Sequence, residues 1–135
     1  MKDKDRIHHL GELQHAIMRV LWTLGEGTVA QIHEALPPEH RRALTTIATM
    51  LTKMERKGVV THRSEGRFFV YLPSVVEQDV RRTMVEDLTE RLFDGDVAAL
   101  VSHLITEQEI DRDELARLQK LIESRRKGGK SDGRS

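Results

Sequence analysis

The chain contains no cysteine among its 135 residues. Disulfides, thiolate metal sites and cysteine nucleophiles are thereby excluded. Aromatics are scarce: three Phe, one Trp and one Tyr, within a hydrophobic content of only 38%. A core with so few anchors is modest, and small cores often recruit a second subunit. No apolar run approaches the roughly 20 residues of a membrane span. The opening MKDKDRIHHL is too charged for a signal peptide. We therefore expect a cytoplasmic protein without membrane insertion. GxSxG elbows, phosphate-binding glycine loops and HExxH pairs are missing as well. The carboxylates of the second half are dispersed along helix faces. The chain reads as no enzyme, and no cofactor is expected.

Net charge is zero, but the charges are not evenly spread. Residues 1–72 hold 11 Lys/Arg against 8 Asp/Glu, residues 73–124 hold 6 against 13, and residues 125–135 hold 5 against 1. A basic front, an acidic middle and a basic tail suit different partners.

Apolar spacing organises the chain. Leu10, Leu13, Ile17, Val20, Leu21 and Leu24 predict a first helix over residues 10–24, broken by Gly25 and Gly27. Thr28 with Gln31 forms a capping-box pattern for a second helix, which Pro37 and Pro38 stop. Ile47, Met50, Leu51 and Met54 give the buried stripe of a third helix over residues 43–57, and Gly58 suits its end. The β-branched and aromatic run VVTHRSEGRFFVYLP predicts a hairpin over residues 59–72, turning at SEG. Helices then follow from Ser74, over residues 97–105, and after a Thr106–Glu109 cap. RRKGGKSDGRS closes the chain as an unstructured tail.

The expected fold is mainly α with one small β-hairpin. A winged helix-turn-helix spans residues 8–73, a helical region residues 74–124 and a basic tail residues 125–135.

The third helix holds the candidate chemistry. With its apolar stripe buried, Thr45, Thr49, Thr52 and Arg56 fall on the opposite face, with Arg42, Thr46 and Lys53 beside them. Threonine is a mediocre helix former, so a row of exposed threonines needs a reason. In a helix-turn-helix the second helix lies in the major groove. Hydroxyls there can donate or accept, and threonine methyls suit the thymine methyl. Thr45, Thr46 and Thr49 are the base-edge candidates. Arg42, Lys53 and Arg56 suit phosphates, and Arg63 and Arg67 suit wing contacts to the backbone or minor groove. Double-stranded DNA is the expected partner. The stripe Val76, Val80, Met84, Leu88 and Leu92, spaced by fours, suits packing on another helix, within the chain or in a homodimer. Two linked readers gain effective concentration that one lacks.

Two alternatives stay open on these residues alone. A winged helix also serves as a protein-docking scaffold. Seven histidines, at 8, 9, 15, 33, 40, 62 and 103, raise the question of a metal-responsive regulator. No HxxxH or HExxH pair supports a site, and the histidines read as surface residues.

LGELQHAIMRVLWTLGEGTVAQIHEAL, TTIATMLTKMERKGVVTHRSEGRFFVYLP and LFDGDVAALVSHL together resemble the penicillinase repressor family, the BlaI/MecI/CopY regulators. The resemblance covers roughly residues 8–122. It implies a homodimeric repressor of a bacterial operon, with the third helix in the major groove of a dyad operator. Thr45 and Thr46 would then read bases, with Ala48 and Thr49 adjacent. Leu115, Leu118 and Ile122 of the last helix would join the dimer contacts. Antibiotic-responsive members are relieved by cleavage within the dimerisation half, triggered through a membrane sensor-protease pathway. The matching stretch LVSHLI puts that bond at His103–Leu104, where the best-known family site is Asn–Phe. The copper-responsive branch carries C-terminal cysteines, which this chain lacks.

Overall fold

The computed structural model describes residues 10–132, with side chains through residue 128. The chain divides into two compact units after Leu92.

In the first unit, α1 (Glu12–Leu24) buries Ala16, Ile17, Met18, Val20 and Leu21. The predicted capping box opens α2 (Val29–Ala35). The Gln31 amide donates to Thr28 Oγ1 at 3.2 Å, and the Thr28 amide donates to Gln31 Oε1 at 2.9 Å. Leu36 turns extended ahead of Pro37, as residues before proline do. After a 3₁₀ turn (Pro38–His40) comes α3 (Leu44–Lys57). Its Ile47, Leu51 and Met54 are completely buried, each stabilising the unit by roughly 1.5–3 kcal/mol. Gly58 ends the helix in the left-handed region at φ 87°, where a Cβ would be strained.

The hairpin follows as β1 (Val60–Glu65) and β2 (Phe68–Pro73), in register from Val60 opposite Pro73 to Glu65 opposite Phe68. Only Gly66 and Arg67 lie between, and Gly66 takes φ 60° at the first turn position. Gly27 bridges to Tyr71 through two backbone hydrogen bonds of 2.8 and 3.0 Å, tying the hairpin to the α1–α2 turn. The element order is that of a winged helix-turn-helix.

The helix α4 (Glu77–Phe93) corrects one expectation. Val80 is 1% exposed and belongs to the core of the first unit, with Met84 packed against it. Val80 is thus covered within its own chain rather than offered to a second subunit. Val76, Leu88 and Leu92 are exposed. Residues four apart drift about 40° around a helix at each step, so the stripe spirals. Its middle meets the core and its ends leave it. Trp22 fixes the approach of α4, its indole Nε1 donating to the Val75 carbonyl at 2.9 Å.

In the second unit, Asp94 and Gly95 both take positive φ ahead of α5 (Val97–Glu107), which Asp96 caps through the Ala99 amide. The last helix, α6 (Arg112–Asp132), is capped by Asp111 and Glu114 rather than by Thr106 and Glu109. The basic tail, expected to be unstructured, continues α6 to Asp132. Glu123, Arg125, Arg126 and Lys127 are good helix formers that extend a helix already nucleated. No described side chain of α5 or α6 is buried.

Candidate nucleic-acid interface

Core packing decides which face of α3 is free. Ile47, Leu51 and Met54 point inward, so Thr45, Thr49, Thr52 and Arg56 are exposed on the opposite side. Thr46, Lys53 and Arg42 are exposed on the flank, and Ala48 is half-buried. The predicted base-edge residues therefore share one accessible surface. The Thr52 hydroxyl donates to the Ala48 carbonyl at 3.1 Å and also shares a hydrogen bond with the Tyr71 hydroxyl, so it is already engaged within the fold. Arg42 Nη1 donates to the Glu39 carbonyl at 3.1 Å, holding that guanidinium at the helix entry.

Several residues that set this face carry no sequence signal. Arg41 Nη2 donates to the Leu36 and Glu34 carbonyls at 2.9 and 3.2 Å, satisfying the C-terminal end of α2 and fixing the turn into α3. Gln14 on α1 clamps α3 at two points. Its Nε2 donates to Met50 Sδ at 3.1 Å, and its Oε1 accepts from Lys57 Nζ at 2.7 Å. Burial pushes the Lys57 amine below its ordinary range, with the Lys53 charge adding to the effect.

The wing divides the two arginines assigned to it. Arg67 sits exposed at the hairpin tip with no partner among the described residues. Arg63 does not fit the expectation of a free DNA contact. Its Nη1 and Nη2 donate to the two Glu26 carboxylate oxygens at 2.8 Å each, and its Nε donates to Glu65 at 2.7 Å. The pairing with Glu26, then Glu65, holds the guanidinium charged far above its ordinary range. Glu26 is pushed down by the same contact. Sequence order hides this bond, because Glu26 lies 37 residues away in the α1–α2 turn. Arg63 is a brace that also cancels carboxylates close to the wing. Glu26→Gln is expected to tighten DNA binding about threefold at low salt, fading as salt screens the charge. Fluorescence anisotropy titrations at two ionic strengths check this, and weaker binding would count against it.

Among the described residues, no group of three or more His, Asp or Glu could hold a metal ion. His8 and His9 lie outside the described residues. No helix among them is long and apolar enough to cross a membrane. The His103–Leu104 bond lies inside α5 with both side chains exposed, the His103 ring 5.8 Å from that of Phe93.

The chain is similar to the penicillinase repressor of Bacillus licheniformis, at 24% identity over 118 residues that cover 87% of this chain and 92% of that protein. It is similar also to the transcriptional regulator BlaI of Mycobacterium tuberculosis, at 29% identity over 119 residues, 87% of this chain and 85% of that one. Among solved structures, the solution structure of the DNA binding domain of the repressor BlaI matches at 29% identity with a TM-score of 0.49, covering 58% of this chain and 93% of that chain. The model of the penicillinase repressor family matches residues 10–124. With nearly its whole length inside that match, this chain belongs to the penicillinase repressor family.

Proposed function

We propose that this protein is a homodimeric transcriptional repressor that occludes a promoter by sitting on a dyad operator. The observation that carries the reading is the exposed face of α3. Thr45, Thr46 and Thr49 are solvent-facing, with Arg42, Lys53 and Arg56 around them, on a helix locked from behind by the core. A polar helix face is commonly just solvated. Here its hydroxyls lie within a stretch, residues 39–67, that holds seven Lys/Arg against three Asp/Glu. Family membership supports the same reading. Thr45, Thr46 and Thr49, with Ala48 adjacent, read base edges. Arg42, Lys53 and Arg56 contact phosphates, and Arg67 reaches the backbone or minor groove from the wing tip.

Dimerisation belongs to the helical half. Val97, Leu104, Ile105, Leu115, Leu121 and Ile122 are all at least 43% exposed within one chain. Leu115, Leu118 and Ile122, with Val76, Leu88 and Leu92 of α4, supply apolar surface for a second copy. Cleavage at His103–Leu104 by a sensor-linked protease would relieve repression by destroying α5. A protease needs that helix unwound locally to reach the bond.

Selection from fragments of the source genome at physiological salt tests the reading. An enriched inverted repeat with half-sites about one helical turn apart is the expected result. Recovery without a shared motif would overturn it. On the recovered duplex, Thr46→Ala is expected to weaken specific binding by about 1 kcal/mol or more while sparing non-specific binding. Equal loss on both would remove Thr46 from the base-reading set.

A further inference from the structure

A second contact, on the other side of the wing from Arg63, joins β1 to α3. His62 Nδ1 lies 2.7 and 2.8 Å from the two carboxylate oxygens of Glu55. A carboxylate only accepts, so Nδ1 carries the proton and donates to both. The imidazole stacks on Phe69 of β2 with ring centroids 4.1 Å apart and planes 22° from parallel, and Tyr71 stands at 5.6 Å. One ring is thus gripped by the helix through its nitrogen and by the wing through its face. Glu55 is otherwise out of place. It is a carboxylate one residue before Arg56, on the helix meant to approach phosphates.

We propose that His62 is a positioning residue: held by Glu55 and stacked on Phe69, it sets the angle of the wing on α3, so that the threonine face and Arg67 engage DNA as one rigid unit. The proposal rests on the DNA-binding reading above. The leverage is large. Six residues of strand carry the tip about 20 Å from the hairpin base. Rocking by roughly 10° would shift it by about 3 Å, enough to break a hydrogen bond. The Gly27–Tyr71 bridge and the Arg63–Glu26 brace hold the hairpin to the α1–α2 turn. From the wing to the reading helix itself run the His62–Glu55 bond and a side-chain hydrogen bond between Tyr71 and Thr52.

A double-mutant cycle on the full chain tests this, with a labelled duplex carrying the recovered repeat. His62 and Arg67 do not touch, and independent distant sites combine within about twofold. We expect Arg67→Ala to cost at least about threefold less affinity in the His62→Ala background than in the unaltered protein. A purely structural role for His62 would scale all binding and leave the Arg67 effect unchanged. His62→Asn, which keeps a donor near the Nδ1 position, should restore part of the Arg67 effect. Should His62→Ala fail to fold, His62→Phe keeps the stack and removes the donor. Hydrogen exchange without DNA supplies a second readout: amides of β1 and β2 should exchange faster in His62→Phe while those of α1 do not change. Sequence-specific binding with a cycle that closes within twofold overturns the strut alone. Absence of sequence-specific binding by the unaltered protein overturns the operator reading together with the strut's function.

Discussion

Removal of residues 93–135 is expected to leave a folded monomer that binds the dyad operator at least about a hundredfold more weakly than the full chain. The core of the first unit is complete without them. Ile17, Leu21, Ile32, Ile47, Leu51, Met54 and Val80 belong to one buried cluster whose members all come from that unit. What the truncation removes is the exposed apolar surface of α5 and α6, and with it, on the proposed function, the linkage of two readers. Each reader keeps its threonine face, so single half-site binding should survive at the weak level of one small module. Sedimentation equilibrium and anisotropy titration on the same sample separate the two consequences. A truncated monomer that still holds the dyad as tightly as the full chain would show that residues 93–135 contribute something other than dimerisation.

Leu51→Ala should have the largest effect on stability, about 2–5 kcal/mol. Leu51 is fully buried at the centre of the α3 stripe. Small domains have only about 5–15 kcal/mol in total, so this one truncation can remove much of the margin. Urea denaturation followed by the single tryptophan is a direct check. Trp22 donates to Val75 and reports on the seat of α4 against α1. Operator binding should fall in proportion to the unfolded fraction, because Leu51 makes no contact outward. Thr49→Ala is the contrast: exposed two residues earlier on the same helix, it should move the urea midpoint little. Equal destabilisation by the two would contradict the inward–outward assignment of α3.

Much of this architecture was legible because it depends on local periodicity. The α3 stripe places Ile47, Leu51 and Met54 inside whatever the remainder of the chain does. The Thr28–Gln31 box marks a helix start by chemistry confined to four residues. The hairpin follows from a β-branched run turning at a glycine. Long-range pairing was not legible. Nothing local couples Glu26 to Arg63 or Glu55 to His62, so one arginine reads as a free DNA contact and one histidine as a surface residue. The α4 stripe misleads for a geometric reason. Spacing by fours looks like one face over two turns, but over five positions it winds from solvent into the core and out again. For α6, the Gly/Ser/Lys composition after residue 124 suggests disorder. A helix already under way can run on past the residues that would never start one.

The absence of buried side chains among the described residues of α5 and α6 has a cellular consequence. If these helices pack only against a second copy, about a third of the molecule is ordered in company and loosely held alone. Mass action then ties its order to abundance. Newly made chains at low dosage would expose apolar helices to degradation, while chains above the pairing threshold would be long-lived. Repressor level would thus govern operator occupancy and its own turnover together, sharpening the switch between a silent and an expressed operon.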